Sequence, residues 1–344
     1  MAAKSLAVKY RPKSFEDVTE QSAITIILNK QLASGEIKHG YLFVGPAGTG
    51  KTTCARIFAD EINKGQGNPI EMDAASHNSV DDIREINSAA WNRSLDSEYK
   101  VFIIDECHSL SNAAWQAMLK TLEEPPAKTI FIFCTTDPQK IPKTILSRVQ
   151  RYNFKKISKE GIHDRLVEIL RMENSEHGKF AANKDAIDYI ARAAEGGMRN
   201  AITMLDKCLA YSNTLTIEKV MDVLGRSDIK DMIELTDYIH TKDREVIINI
   251  LEELYSGGVD MKQFIHDYLR TVLDFSKVVL TGDINYTRLP ASGDVIHFTD
   301  DIREEWDKNF LPCLIDRLLE IENQIKWSED PLTIVEAQLI YFNY

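Results

Sequence analysis

The sequence predicts an α/β domain built on a parallel sheet, then a small helical domain and a second, larger all-α domain. Three observations carry this reading. Short apolar runs rich in β-branched and aromatic residues alternate with helix-patterned stretches through the first half, as expected of strands buried on both faces by helices. Past residue 157 the strand signal ends and helical periodicity remains. The length of 344 residues suits two or three domains.

In chain order, Tyr41–Val44 is an apolar run ending at Gly45 and reads as a buried strand. Thr52 to Ile62 is helical in pattern, Ile70–Asp73 is a weaker strand, and Val80 to Ala90 is a helix. Val101–Ile104 is a strong buried strand. Asn112 to Leu122 is a helix stopped by Pro125 and Pro126, which cannot continue one. Ile130–Cys134 is the next buried strand. Four helices follow near 158–173, 183–195, 198–211 and 216–224, punctuated by Gly196 and Gly197. From about 229 the pattern is helical throughout. Tyr255–Gly258 separates two helices, Gly282 to Pro290 is a loop, and Pro331 opens the last helix, a position that tolerates proline. The expected domains are 1–157, 158–226 and 227–344.

Composition narrows the function. Hydrophobic residues make up 44% and charged residues 27%, as in ordinary globular proteins. No apolar run approaches the roughly 20 residues of a membrane helix, and the N-terminal residues lack the apolar core of a secretory signal, so a cytoplasmic protein without a membrane partner is expected. The five cysteines, Cys54, Cys107, Cys134, Cys208 and Cys313, contain no C-x-x-C pair, and the closest two lie 27 positions apart. That spacing supports neither a zinc module nor a disulfide framework. The net charge is −12, which taken whole argues against a nucleic-acid partner.

Gly45-Pro46-Ala47-Gly48-Thr49-Gly50-Lys51-Thr52 matches G-x-x-x-x-G-K-[ST] between a predicted strand and a predicted helix. Glycines let backbone N–H groups wrap phosphates, and the helix N-terminus adds partial positive charge. Lys51 supplies a cation to the β- and γ-phosphates, and the Thr52 hydroxyl is a ligand for Mg²⁺. Asp105 and Glu106 follow directly on the strand 101–104, at the strand end where ligands bind in such sheets. Asp105 is expected to hold Mg²⁺ and Glu106 to orient and deprotonate water. Together the motifs predict an enzyme that hydrolyses ATP.

Several further stretches carry a resemblance. Lys9-Tyr10-Arg11-Pro12, with Phe15-Glu-Asp-Val18 and Gln21, resembles the adenine-pocket segment of clamp-loader ATPases of the AAA+ family. Met72–Ser76, Asp105–His108, Leu119–Pro126, Thr135–Lys140, Ile145–Arg148 and Ala194–Arg199 resemble the gamma/tau branch of bacterial DNA polymerase III subunits, densely over residues 4–225 and more weakly beyond. The resemblance implies a P-loop AAA+ sheet domain, a helical lid and a C-terminal helical collar. It implies nucleotide contacts from Tyr10, Arg11, Pro12, Val18, the loop 45–52 and Thr53. It makes Thr136 the sensor-1 residue near the γ-phosphate. Arg148 becomes an arginine finger that acts on a neighbouring subunit's site, and Arg199 a lid arginine that contacts the γ-phosphate in cis. Planar, permanently charged donors suit charge spread over phosphate oxygens.

The implied partners are further copies of the chain with one or two other subunits, as a pentamer, together with a sliding clamp and primer–template DNA. ATP and Mg²⁺ are the implied cofactors, without zinc. Three copies with two different partners and four with one both fit. The zinc-binding insertion of the bacterial family is replaced by Asn63–Pro69, the Ser-Arg-Cys signature reads Ser147-Arg148-Val149, and the chain ends at Tyr344 without a long tail. These departures predict a trimmed, gamma-like subunit encoded by a bacteriophage.

For DNA, the resemblance points to Ser76, His77, Asn78, Ser79 and Arg84 at one helix start and to Ser111 and Asn112 at another. Two positions that are basic in the bacterial relatives are His77 and Ser79 here, so contact is expected to rest on backbone amides more than on side-chain charge. Read by region, residues 1–200 hold 27 Lys/Arg and 26 Asp/Glu, whereas residues 201–344 hold 14 and 27. The acidity lies in the predicted collar, so a single copy is expected to bind DNA poorly. The competing readings are another AAA+ DNA motor, a branch-migration helicase or a helicase loader, and a non-hydrolysing scaffold subunit. Intact Lys51, Thr52, Asp105 and Glu106 speak against the scaffold.

Overall fold

In a computed structural model of the chain, the structure describes residues 5–343 apart from 93, 95, 179, 225–228, 288 and 290–292. The expected boundary at 226/227 and the end of the loop at Pro290 lie outside the described residues. The chain divides into two compact units, one of residues 1–179 with 190–206 and one of residues 180–189 with 207–344.

The first unit holds α1 (Leu6–Lys9), α2 (Ser22–Ser34), β1 (Gly40–Val44), α3 (Lys51–Ile62), β2 (Ile70–Asp73), α4 (Val80–Trp91), β3 (Lys100–Asp105), α5 (Asn112–Glu123), β4 (Thr129–Thr135), α6 (Lys143–Leu146), β5 (Gln150–Asn153) and α7 (Lys159–His177). The strands form one parallel sheet in the order β2-β3-β4-β1-β5. Strand alternation sorts the side chains into two cores. Tyr41, Phe43, Val101, Ile103, Ile130 and Ile132 face one side with Leu28 of α2 and Cys54 and Phe58 of α3. Leu42, Phe102, Ile104, Phe131 and Phe133 face the other with Ile83 of α4, Trp115 and Met118 of α5 and Ile145 of α6. Each such large side chain contributes about 1.5–3 kcal/mol by leaving water.

Two elements carry no clear signal in the sequence. β5 reads Gln-Arg-Tyr-Asn, and only Tyr152 is buried, because an edge strand pairs on one side and exposes the rest. In α2 the run Ile24 to Leu28 blurs the helical period, and Ile26 and Ile27 remain exposed.

Beyond the sheet come the two-residue strand β6 (Ala181–Ala182), α8 (Lys184–Ala193), α9 (Met198–Tyr211) and β7 (Thr214–Leu215). β6 pairs with β7 in parallel, so strand pairing does not end at 157 as the sequence suggests. These bridges are too short to leave a hydrophobic pattern. Within the second unit follow α10 (Ile217–Leu224), α11 (Ile229–Thr241), α12 (Arg244–Ser256), α13 (Met261–Thr281), α14 (Gly293–Glu305), α15 (Phe310–Ile325) and α16 (Pro331–Ile340). Leu235, Leu251, Phe264, Phe275, Leu314 and Leu318 share its core. Inside that core the Thr236 and Tyr268 hydroxyls bond to each other at 2.9 Å. No described helix is long and apolar enough to cross a membrane.

Candidate nucleotide site

All five strands run the same way, so the residues that follow β1, β3 and β4 emerge at one edge of the sheet. After β1 the chain turns through the loop 45–50 into α3. Gly48 (φ +74°) and Gly50 (φ +100°) hold left-handed conformations, which glycine adopts without steric cost. Gly45 has a different role: a Cβ there would lie 2.5 Å from the Phe154 carbonyl oxygen. The Thr49 hydroxyl closes the loop on the Pro46 carbonyl at 2.9 Å. Lys51, 6% exposed, donates to the carbonyls of Gly45 and Pro46, each at 2.9 Å. Burial pulls its pKa below the ordinary lysine value, and the negative charges of Glu106 and Asp105 oppose the shift. A buried ammonium with two of its three donors on carbonyls, beside a helix N-terminus, suits an anion with several oxygens.

The Thr52 hydroxyl, in the first turn of α3, donates to Asp105 Oδ2 at 2.7 Å. The other Asp105 oxygen accepts the Glu106 N–H at 3.0 Å. A hydroxyl and a carboxylate in contact form the hard-oxygen pair that Mg²⁺ takes from protein, its remaining positions going to phosphate and water. Glu106 has φ +44°, an unfavourable conformation for a residue with a side chain, and one that clusters at functional sites. Its Oε2 accepts from the Thr136 hydroxyl at 3.2 Å and lies 3.3 Å from His108 Nδ1. His108 Nδ1 is also 3.1 Å from the Thr135 hydroxyl. The sensor candidate Thr136 thus touches the base candidate Glu106.

A cleft of about 490 Å³ opens beside this group. Its walls include Tyr10, Arg11, Pro12, Val18, the residues Ala47 to Thr53, Asp105, Glu106 and Arg199. Gly45 and Pro46 hold Lys51 through their carbonyls. The N-terminal segment of the wall, the end of α1 and Tyr10, is tied to α7. Lys9 and Tyr10 both donate to Glu173, at 2.8 and 2.7 Å, and Arg165 donates to the Tyr10 carbonyl at 3.2 Å. Arg199 projects from the first turn of α9. The preceding Gly197 lies directly on the phosphate loop: a Cβ on Gly48 would meet Gly197 Cα at 3.2 Å, and one on Gly197 would meet the Ala47 carbonyl at 3.1 Å. In the sequence Gly196 and Gly197 read as punctuation between helices. The close approach of Gly197 depends on a contact with Ala47 across 150 residues of chain, and that of Gly196 on one with Lys156.

Arg148 stands apart from the cleft. It is exposed just past α6, donating to the Thr144 carbonyl at 2.6 Å and paired with Glu123 at 2.5 Å. Sequence reasoning missed Arg56, Arg165, Asn200 and Ile202, which also line the cleft, and His108 as a neighbour of Glu106. The four cleft residues lie outside the motifs read from the sequence, whereas His108 closes the stretch Asp105–His108 and could have been found there.

The two DNA candidates converge. The Ser111 N–H donates to the Asn78 carbonyl at 3.2 Å, bringing the starts of α4 and α5 together. Ser79 caps α4 in a reciprocal box with Asp82, and Ser111 caps α5 by accepting from Ala114 N–H. His77 Nδ1 lies 3.6 Å from Asp82, and Arg84 is paired with Asp81 at 2.9 Å. Ser76 to Ser79, Ser111 and Asn112 are all exposed. The Arg84 cation of α4 is therefore answered locally by a carboxylate.

Comparison with known proteins places the chain. Family models match for the DNA polymerase III delta subunit over residues 68–158, for the ATPase lid domain of the DNA polymerase III clamp loader subunit over 161–214, and for domain III of DNA polymerase III subunits gamma and tau over 215–344. The chain is 34% identical to DNA polymerase III subunit tau of Bacillus subtilis, a match spanning 99% of this chain and 63% of that protein. It is 35% identical to the gamma/tau subunit of Mycobacterium tuberculosis over 77% of this chain and 50% of that one. The chain thus spans between half and two thirds of these longer relatives. The gamma subunit of Buchnera aphidicola is 33% identical, over 79% of this chain and 80% of that protein. Among solved structures, the Thermotoga maritima RuvB Holliday junction branch migration motor has a TM-score of 0.52 at 21% identity, covering 73% of this chain and 86% of that one. This likeness shows a shared fold. The chain belongs to the gamma/tau family of DNA polymerase III subunits.

Proposed function

We propose that this chain is an ATP-hydrolysing subunit of a DNA-replication clamp loader. The observation that carries the proposal is the convergence, in and beside one cleft, of Lys51, the Thr52–Asp105 pair, the Thr136–Glu106 contact and Arg199.

In this reading the base sits among Tyr10, Arg11, Pro12 and Val18, and the phosphates lie over Gly48–Thr53. Thr52 and Asp105 would hold Mg²⁺, which would supply positive charge against the phosphates. Lys51 leaves its carbonyl partners to meet the phosphates. Glu106 takes a proton from the attacking water, and Thr136, now bonded to Glu106, turns its hydroxyl to the γ-phosphate. Arg199 stabilises the γ-phosphate from the same chain. Arg148, free of its own cleft, supplies an arginine to the site of the next subunit, so that hydrolysis takes place at interfaces. Residues 1–157 serve as the ATPase domain, 158–226 as the lid and 227–344 as the collar that holds subunits together.

Several copies with one or two other subunits, as a pentamer, would surround primer–template DNA. ATP binding would open a sliding clamp, and hydrolysis would release it closed on the DNA. Contacts from Ser76 to Ser79, Arg84, Ser111 and Asn112 would follow the phosphates, mainly through hydroxyls and amides. The test is ATP turnover of the assembled complex with its clamp and primed DNA. Stimulation by both, abolished by Lys51→Ala, is the expected result. Turnover that neither stimulates, or that survives Lys51→Ala, would sink the proposal.

A further inference from the structure

Two adjacent residues, Glu20 and Gln21, grip the junction between the sheet and α7, although the sequence motif that includes Gln21 assigns it no such contact. Gln21 is 4% exposed. Its amide nitrogen donates to the Lys155 carbonyl at 2.8 Å and lies 3.4 Å from the Thr49 carbonyl of the phosphate loop. Its amide oxygen accepts the Lys155 N–H at 3.3 Å. Glu20 holds a left-handed conformation, φ +55°. One of its carboxylate oxygens accepts the Ser158 N–H at 2.7 Å and the other accepts the Ser158 hydroxyl. Ser158 is the N-cap of α7. A Cβ on Gly161, in the first turn of α7, would lie 2.5 Å from that carboxylate, so the glycine makes room for it.

The same junction leads to Arg199. The Ile157 N–H donates to the Gly196 carbonyl at 3.1 Å. Gly197 then rests on Gly48 of the phosphate loop, and α9 begins with Met198 and Arg199. One short relay of bonds therefore joins Thr49, Gln21, Lys155, Ile157 and Gly196 to the arginine. A left-handed conformation at a residue other than glycine persists only where its surroundings over-determine it. Here two consecutive side chains fasten both ends of the four-residue stretch 155–158, and the buried amide reaches both the loop and the junction.

We propose that Glu20 and Gln21 form a clasp that sets the position of Arg199 over the phosphate loop, which makes them positioning residues for recognition of the γ-phosphate. The proposal rests on the nucleotide reading of the cleft. Its readout is the ratio of affinities for a non-hydrolysable ATP analogue and for ADP, measured by calorimetry on the full chain, with thermal unfolding alongside. A change that only loosened the fold would weaken both ligands together and leave the ratio alone.

Arg199→Ala is expected to lower the ratio about tenfold, the scale of one hydrogen bond to a charged group. Gln21→Met, which keeps the volume and removes the amide, is expected to lower it by a similar factor, and the double variant no further. Glu20→Gly, at an exposed position, relieves the backbone and removes the carboxylate. It carries the test if Gln21→Met fails to fold, with an expected fall of about threefold. A ratio unchanged in both clasp variants, or effects that multiply with Arg199→Ala, would overturn the clasp. If Arg199→Ala alone left the ratio unchanged, the assignment of Arg199 would fall. The clasp as proposed would fall with it, because it is assigned to act through Arg199, whereas loss of binding of both nucleotides by the parent chain would instead sink the nucleotide reading of the cleft.

Discussion

Replacing Glu106 by glutamine should separate nucleotide binding from hydrolysis, and the structure sets the size of each effect. The carboxylate accepts from Thr136 at 3.2 Å and lies 3.3 Å from His108, and its side chain is 37% exposed. An amide oxygen can keep accepting from the Thr136 hydroxyl, and the backbone at φ +44° is held as before by the Asp105 carboxylate on the Glu106 N–H. The loss to folding is then the difference between a charged and a neutral acceptor at a part-exposed site, about 0.5–1 kcal/mol. Nucleotide affinity should change less than about threefold, because Lys51 and the Thr52–Asp105 pair are untouched. Turnover should fall by roughly 10²–10⁴, the usual worth of a general base, which raises the barrier by about 3–5.5 kcal/mol. Phosphate release in the steady state and calorimetric titration of the nucleotide measure the two separately. Turnover within about fivefold of the parent would refute the assignment of Glu106 as the base. A parallel collapse of affinity would show instead that Glu106 holds the loop together.

Lys51→Met removes a buried cation whose partners are two carbonyls. Stability without nucleotide should hold or rise by about 1 kcal/mol, since desolvation of the charge disappears, while nucleotide affinity falls by about 100-fold, both readable by unfolding and titration. In the parent protein the Lys51 pKa is lowered by burial, so the folded chain releases this proton before the unfolded one. Stability should rise with pH from that lowered value up to the ordinary lysine value of 10.5, and Lys51→Met should flatten the rise in a series of alkaline unfolding curves. Arg148→Ala breaks an exposed pair with Glu123. It should cost less than about 1 kcal/mol of stability and leave nucleotide binding by the lone chain unchanged, while turnover of the assembled complex falls at least tenfold; equal turnover would remove Arg148 from the chemistry. Gly197→Val places a Cβ 3.1 Å from the Ala47 carbonyl. The overpacking of about 1–3 kcal/mol should appear as weaker nucleotide binding in titration, and unchanged affinity would show that the contact is slack.

Residue identity and spacing along the chain were enough to place β1, β3 and β4, whose uninterrupted apolar runs allow nothing but burial on both faces. The phosphate loop was legible for the same local reason, since its glycines, lysine and threonine work within eight consecutive residues and the helix they open. Asp105 and Glu106 could be read because they follow at once on a strand whose end faces the ligand edge of the sheet.

Other features existed only once the chain was folded. β5 and α2 lacked a clean period, because an edge strand exposes most of its residues and α2 leaves Ile26 and Ile27 in solvent. The contact between Thr136 and Glu106, 30 residues apart, arises from the pairing of β3 with β4. The rest of Gly197 on Gly48 and the grip of Gln21 on Lys155 join backbones more than 130 positions apart. No local pattern encodes them. Sequence by itself determined the phosphate loop and the carboxylates that this protein brings to the cleft, because hydrophobic period and turn chemistry are local. Tertiary structure alone decided which of those groups touch, because hydrogen bonds and close packing depend on distances that only the closed sheet and its helices set.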